Sequence, residues 1–393
     1  MSSAAPAVDA RRERDKALTH SGWGMPFRLT QPRNLCWYVL LLGWVGGVGV
    51  ALSFIQPTAA VYSTALTIGI VGCALYGIPW WLYLNHLNRL AIVPHRAALT
   101  AFVWGFAAAT FWIAIRANDA LLSIYGKLFG QSFVRNYGPG LAAPFTEETA
   151  KMLGLILLIG LAPHIVRTPF DGFILGAFIG LGFQISEDIL YAFQSGSAQF
   201  GTNQVGQALH IIVLRAGSGF FSHAMYSAIY CAGLIWLLDR DGSHHRLRGV
   251  SLMVLAMVFH GTWDLGGSYL YPVMPAAAAL FINYAVSIAL SLLTVRWVLV
   301  SVEREASGWI EAVLRPEIDN GTLSPTEVDG IAAWRRKDRK AYRKTFHGHR
   351  AKHAGKHLVA AGEELAAALA HDGDEDTSRV RFARAEIARI RGG

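Results

Sequence analysis

Runs of about twenty residues almost free of charge recur along this chain, and that is the length an α-helix needs to cross ~30 Å of hydrocarbon. Backbone polar groups in lipid find no water, so such runs commit the chain to helices that satisfy their own hydrogen bonds. Only 16% of the 393 residues are charged, while 53% are hydrophobic. A soluble chain of this size carries roughly a quarter charged residues. The fold class is therefore all-α: a polytopic membrane bundle of about eight transmembrane helices with a helical or partly disordered cytoplasmic tail. The expected spans are 36–56, 62–85, 98–118, 141–163, 170–193, 208–238, 249–268 and 276–302.

Charge in the loops sets the orientation. The segment 1–35 is basic, as are the loops 86–97 (Arg89, Arg96), 164–169 (Arg167) and 239–248 (Arg240, Arg246, Arg248). The loops 57–61, 194–207 and 265–275 hold no Lys or Arg, and only 119–140, with Lys127 and Arg135, departs from the alternation. That loop is apolar enough to be an interfacial or re-entrant helix, or an amphipathic connector. The pattern puts both termini in the cytoplasm and the charge-poor loops outside. The first apolar run starts too late for a cleaved signal peptide, so it reads as a retained anchor. Three domains follow: an N-terminal segment 1–35, an eight-helix domain 36–302 and a basic tail 303–393.

The net charge of +8 is no sign of nucleic-acid binding, because the basic residues sit at the ends and in alternate loops without interleaved aromatics. The dense basic run 335–356 is a solvated tail or a contact for anionic lipid head groups. Cys36, Cys73 and Cys231 form no spaced metal or disulfide pattern.

An ionisable side chain at mid-membrane costs ~2.5 kcal/mol or more, which makes any such residue a functional candidate. The fourth to seventh spans all contain them. The fourth carries Glu147, Glu148 and Lys151, with the lysine one helical turn from either carboxylate. Neighbouring helix positions point ~100° apart, so the two glutamates do not simply share one partner and one is surplus. The fifth carries Glu187 and Asp188 after Gly176, Gly180 and Gly182, which admit a neighbouring helix closely. The sixth carries His223; the seventh carries His260 and Asp264, four apart on one face. Counted at 1.5 Å per residue, Glu148, Glu187, His223 and His260 all fall roughly 9–12 Å below the outer boundary. Helices of alternating direction need not agree in depth, so the agreement points to one wet polar site beneath the outer face.

Two chemistries suit that set. Either Glu187, His223 and His260 hold a zinc ion while Glu148 takes a proton from bound water, or Glu148 activates water directly and the histidines support the oxyanion. Buried acids also build proton relays, so a proton-coupled transporter or channel is the alternative, although related broken half-helices are not evident.

The run Glu147-Glu148-x-x-Lys151, the Gly182-Phe183-x-x-x-Glu187 run, His223 and the His260-x-x-x-Asp264 pair resemble the PrsW family of intramembrane proteases, part of a wider group that includes the CAAX prenyl proteases. The likeness covers about residues 95–270. It implies a bacterial plasma-membrane metallopeptidase that cuts membrane-anchored proteins near the outer face, as one known member does with an anti-sigma factor in regulated intramembrane proteolysis. It carries over Glu147, Glu148, Glu187, His223, His260 and Asp264 as motif positions. Asp188 and Asp264 stand where the family often has asparagine, and that added charge bears on the metal and the mechanism.

Overall fold

The computed structural model describes residues 4–88, 93–219, 222–240, 242–333, 336–372 and 376–392. Every regular element among them is helical. The chain divides into two compact units, residues 27–298 and residues 1–26 with 299–393.

In the larger unit, α2 is Leu35–Ile55 and α3 is Ser63–Asn88. α4 runs His95–Phe129. α5 is Gln131–Leu161, α6 Pro169–Ser195, α7 Gln204–Gly219, α8 His223–Leu237 and α9 Arg246–Leu265. α10, Ala276–Leu314, runs from this unit into the other. The eight expected spans thus fall on helices, and five of these helices are long and apolar enough to cross a membrane: α2, α3, α4, α6 and α10.

α6 is the hub. Its most apolar stretch is 83% buried, against 22% for α2, α3 and α10, which expose apolar side chains to lipid instead. Thr168 starts it with a reciprocal cap: its hydroxyl accepts from the Asp171 backbone while the Asp171 carboxylate accepts from the Thr168 backbone, and Pro169 fits the first turn. α3, α4, α7 and α8 all pack on it. Gly180 is where the sequence expectation of close approach is met most directly. A Cβ there would lie 2.3 Å from the carbonyl oxygen of His223. Only a bare backbone admits α8 at that distance.

Two expectations are corrected. The stretch 119–140 forms no element of its own but is divided between the end of one helix and the start of the next. α4 continues to Phe129, and α5 begins at Gln131. Gly130 turns the chain between them at φ +85°, a region L side chains rarely adopt. The expected continuous span 208–238 comes as two helices, α7 ending at Gly219 and α8 starting at His223. Gly217, Ser218, Gly219 and Ser222 are poor helix formers, which explains a break at that point. The break places His223 in the first turn of α8.

α4 is also irregular. Residues Trp104–Ala114 are wound as a π-helix, with the Thr110 hydroxyl donating to the Gly105 carbonyl at 2.9 Å. Such windings collect at functional sites. In α5, Pro144 removes the backbone bond to the Gly140 carbonyl immediately before the glutamate pair.

The smaller unit holds α1 (Ala4–Ser21) and, after α10, α11 (Pro316–Asp319), α12 (Pro325–Ala332), α13 (Arg336–Lys344), α14 (His349–Asp372) and α15 (Ser378–Gly392). Glu317 is wholly buried there and accepts from Arg384 at 2.6 and 2.9 Å. Of the basic run, Lys340, Lys344, Lys352 and Lys356 are exposed. Arg335, like Arg89 of the charge pattern, lies outside the described residues, as do the side chains of Arg336, Lys337, Arg339, Arg343 and Arg350.

Gly180→Val should force α8 off α6. We expect a loss of about 1–3 kcal/mol of stability, seen as a lowered Tm in detergent, and an unchanged Tm would contradict the close approach.

Candidate functional site

The seven ionisable residues singled out in the sequence come together around one buried cluster. Lys151 is at its centre and is wholly buried. Its ammonium lies 2.9 Å from Glu148 Oε1, 3.4 Å from Glu147 Oε2 and 3.0 Å from His223 Nδ1, and it covers the Phe183 ring at 4.0 Å. The two adjacent glutamates do share a partner, contrary to the angular argument. The long lysine side chain lets its head reach the gap between them.

Each histidine is held by a carboxylate at one ring nitrogen. His260 Nδ1 is 3.0 Å from Glu148 Oε1, and His223 Nε2 is 3.0 Å from Glu187 Oε2. With carboxylates accepting there, the other nitrogen of each ring is left with its lone pair. Both of these nitrogens face Glu147. Its Oε2 is 3.5 Å from His260 Nε2 and 3.7 Å from His223 Nδ1. His260 Nε2 is buried and has no hydrogen-bond partner.

The two glutamates differ in their surroundings. Glu148 is 1% exposed and accepts from Lys151, from His260 and from the Ser227 hydroxyl at 3.0 Å. Glu147 accepts from Asn118 Nδ2 at 3.1 Å, and Asn118 is itself held by the Thr146 hydroxyl. A cavity of about 390 Å³ opens on this side, with Glu147, Glu187, His223, Asp264, Asn118 and Arg215 on its wall. Glu148, Lys151 and His260 lie behind that wall. The surplus carboxylate that meets the cavity is therefore Glu147.

Glu187 accepts from Arg215 and, at 3.1 Å, from the Tyr191 hydroxyl. Arg215 also donates to Asp188, which is 0% exposed and accepts from the Tyr76 hydroxyl as well. So Asp188 is neither solvated nor on the cavity wall. Asp264 has a half-buried carboxylate 3.4 Å from His260 Nε2. It is the one site carboxylate that accepts no hydrogen bond among the described residues.

Sequence reasoning passed over Arg215, Ser227, Asn118, Tyr76 and Tyr191. Arg215 carries a signal, being an ionisable residue inside the apolar run 208–238. Ser227 follows His223 by one helical turn on the same face, which places it but does not mark it as polar machinery.

The charges do not balance internally. Among the described residues, Glu147, Glu148, Glu187, Asp188 and Asp264 face only Lys151 and Arg215 as permanent cations. Buried charges are paired or coordinate metals, so the excess of acid suits a bound cation. The donor atoms fit one. Those of Glu147, His223 and His260 lie within 4.8 Å of one another. A tetrahedral ion with bonds of ~2.0–2.1 Å sets its ligands about 3.3 Å apart, close to the two Glu147 separations. The orphaned His260 nitrogen points the same way.

Residues 93–294, just over half of the chain, match the family model described as PrsW family intramembrane metalloprotease. No curated protein and no solved structure matches the chain significantly.

Lys151→Met should leave two buried carboxylates facing each other without their cation. We expect destabilisation on the order of 3–5 kcal/mol, measured by denaturation in detergent. Wild-type stability in that variant would show that the glutamates do not depend on it.

Proposed function

The chain belongs to the PrsW family of intramembrane metalloproteases, and from that premise we propose that it hydrolyses peptide bonds of membrane-anchored proteins at a metal held by Glu147, His223 and His260. The observation that carries this reading is the pair of carboxylate-backed histidines whose other ring nitrogens converge on Glu147, that of His260 without a hydrogen-bond partner and that of His223 beside the Lys151 ammonium. A metal-ligating histidine typically gives its other N–H to a carboxylate, which sets the tautomer and raises ligand basicity. In this assignment Glu148 and Glu187, which the sequence cast as base and ligand, orient His260 and His223. Zinc is the ion the donor set suits, and when bound it supplies Lewis acidity and a water that ionises near neutral pH.

The remaining groups divide the work around the cavity. Asp264, free of hydrogen bonds and half-exposed, takes the proton from the attacking water, the task first assigned to Glu148. Lys151 keeps Glu148 charged and in place through its 2.9 Å bond. Arg215 keeps Glu187 turned toward His223. Asn118 orients Glu147 from the cavity side.

The substrate is a membrane-anchored protein cut near the outer face, and an anti-sigma factor is the first to try, as the resemblance implies. The same reading sets the chain in a bacterial plasma membrane with both termini cytoplasmic, where the basic run 335–356 meets anionic head groups.

Metal analysis of purified protein tests the ligand set, and comparison of shed membrane proteins tests the activity. Glu147→Ala and His260→Ala should lose both metal and cleavage. Asp264→Asn should lose cleavage and keep the metal. Glu148→Gln should weaken metal binding by about 10–100-fold. Full metal content in His260→Ala would remove the site.

A further inference from the structure

A second built cavity lies between the start of α2 and the start of α4, away from the acidic cluster. It holds about 660 Å³, within the range of small-ligand sites. Arg28 and Arg96 stand on its wall with Thr30 and Thr100, while Trp44, Leu99 and Val103 form its apolar stem. α3 returns between α2 and α4, so Arg28, which precedes α2, and Arg96, in the first turn of α4, lie at one membrane face. The loop charges assign that face to the cytoplasm.

The feature to explain is that the two arginines share one cavity wall. Both are exposed, no acidic residue lines the cavity, and neither guanidinium has a carboxylate partner among the described residues. Arg215 binds Glu187 and Asp188, and Arg240 donates to the Val166 and Pro163 carbonyls at 2.9 and 2.7 Å. Arg33, Arg135, Arg248 and Arg296 are exposed without a carboxylate partner among the described residues too, but none of them lines this groove. The positive-inside rule accounts for an excess of basic residues on a face. It does not account for two unpaired guanidiniums converging on one apolar groove, where they repel unless an anion joins them. The Trp44 indole N–H adds a second demand. It is buried without an acceptor, and the indole belongs to the groove's lining. An unmet buried donor is costly, and an occupant with a carbonyl just below its anionic group would meet it.

We propose that this groove binds one anionic phospholipid. The phosphate lies between Arg28 and Arg96, an acyl-ester carbonyl accepts from Trp44, and a fatty chain runs along Leu99 and Val103. Guanidinium and phosphate match as bidentate partners, and an intramembrane basic pocket with an apolar stem suits a lipid better than a soluble anion. The site is independent of the peptidase reading, since it shares no residue with the acidic cluster.

The test uses the full-length protein in neutral detergent, titrated with dioleoyl-phosphatidylglycerol, with dioleoyl-phosphatidylcholine, or with glycerol phosphate. Thermal unfolding and quenching of tryptophan fluorescence by lipids brominated on the acyl chain are read in parallel. Phosphatidylglycerol should raise Tm by several degrees and quench at least ten-fold lower concentrations than phosphatidylcholine does. Glycerol phosphate should do neither. Arg28→Gln with Arg96→Gln should abolish the preference while leaving Tm in phosphatidylcholine unchanged, and Trp44→Phe should remove part of the quenching. Equal responses to the two lipids, or a preference that survives the double substitution, would overturn the proposal. A Tm rise with glycerol phosphate alone would mark a soluble-anion site and overturn the lipid assignment.

Discussion

A single buried ammonium, that of Lys151, lets two neighbouring glutamates stand inside the bundle. Isolated carboxylates in a low-dielectric interior are so unfavourable that they would normally neutralise or be excluded. Here one cation lies within 3.4 Å of both, and one of the histidine nitrogens approaches it as well. The arrangement divides the glutamates. Glu148, closer to the lysine, is enclosed by three donors. Glu147, held more loosely, turns its other oxygen toward Asn118 and the cavity. One interaction thus produces a fixed support and an accessible group from two identical side chains.

The scaffold exists to hold that arrangement at a defined separation from α8 and α9. α6 supplies a backbone bare enough at Gly180 for the His223 carbonyl to approach, and it carries Glu187 two turns further on. The break before α8 places His223 at a helix start rather than mid-helix. Arg215, from α7, then ties Glu187 and Asp188 together from the outside. Three ionisable groups come from α5 and one or two from each of α6, α7, α8 and α9. None of them would form the cluster alone, which explains why no local metal-binding signature exists in the sequence.

Much of this was legible before any coordinates. The helical class and most helix positions follow from uninterrupted apolar runs, and the ionisable residues of the cluster stand out through the insertion penalty on such groups. The depth count set Glu148, Glu187, His223 and His260 at one level, and in the structure His223 meets Glu187 and His260 meets Glu148 at 3.0 Å. The rotation of each helix was not legible. Adjacent glutamates 100° apart gave no means of telling which faced the cavity, and the lysine's reach was underrated because its long stem can bring the charge between them. Asp188 illustrates the same limit, since its partner Tyr76 comes from α3, over a hundred positions away.

By itself the sequence determined the solvent of the chain, its helical class, the approximate span positions and the identity of the chemical groups, because these depend on local composition and on the energy of single residues in lipid. The tertiary structure decided which carboxylate faces the cavity, which ring nitrogens turn toward it and where α7 gives way to α8. Those outcomes depend on how helices rotate and pack against one another, and each is fixed by partners that lie far away along the chain.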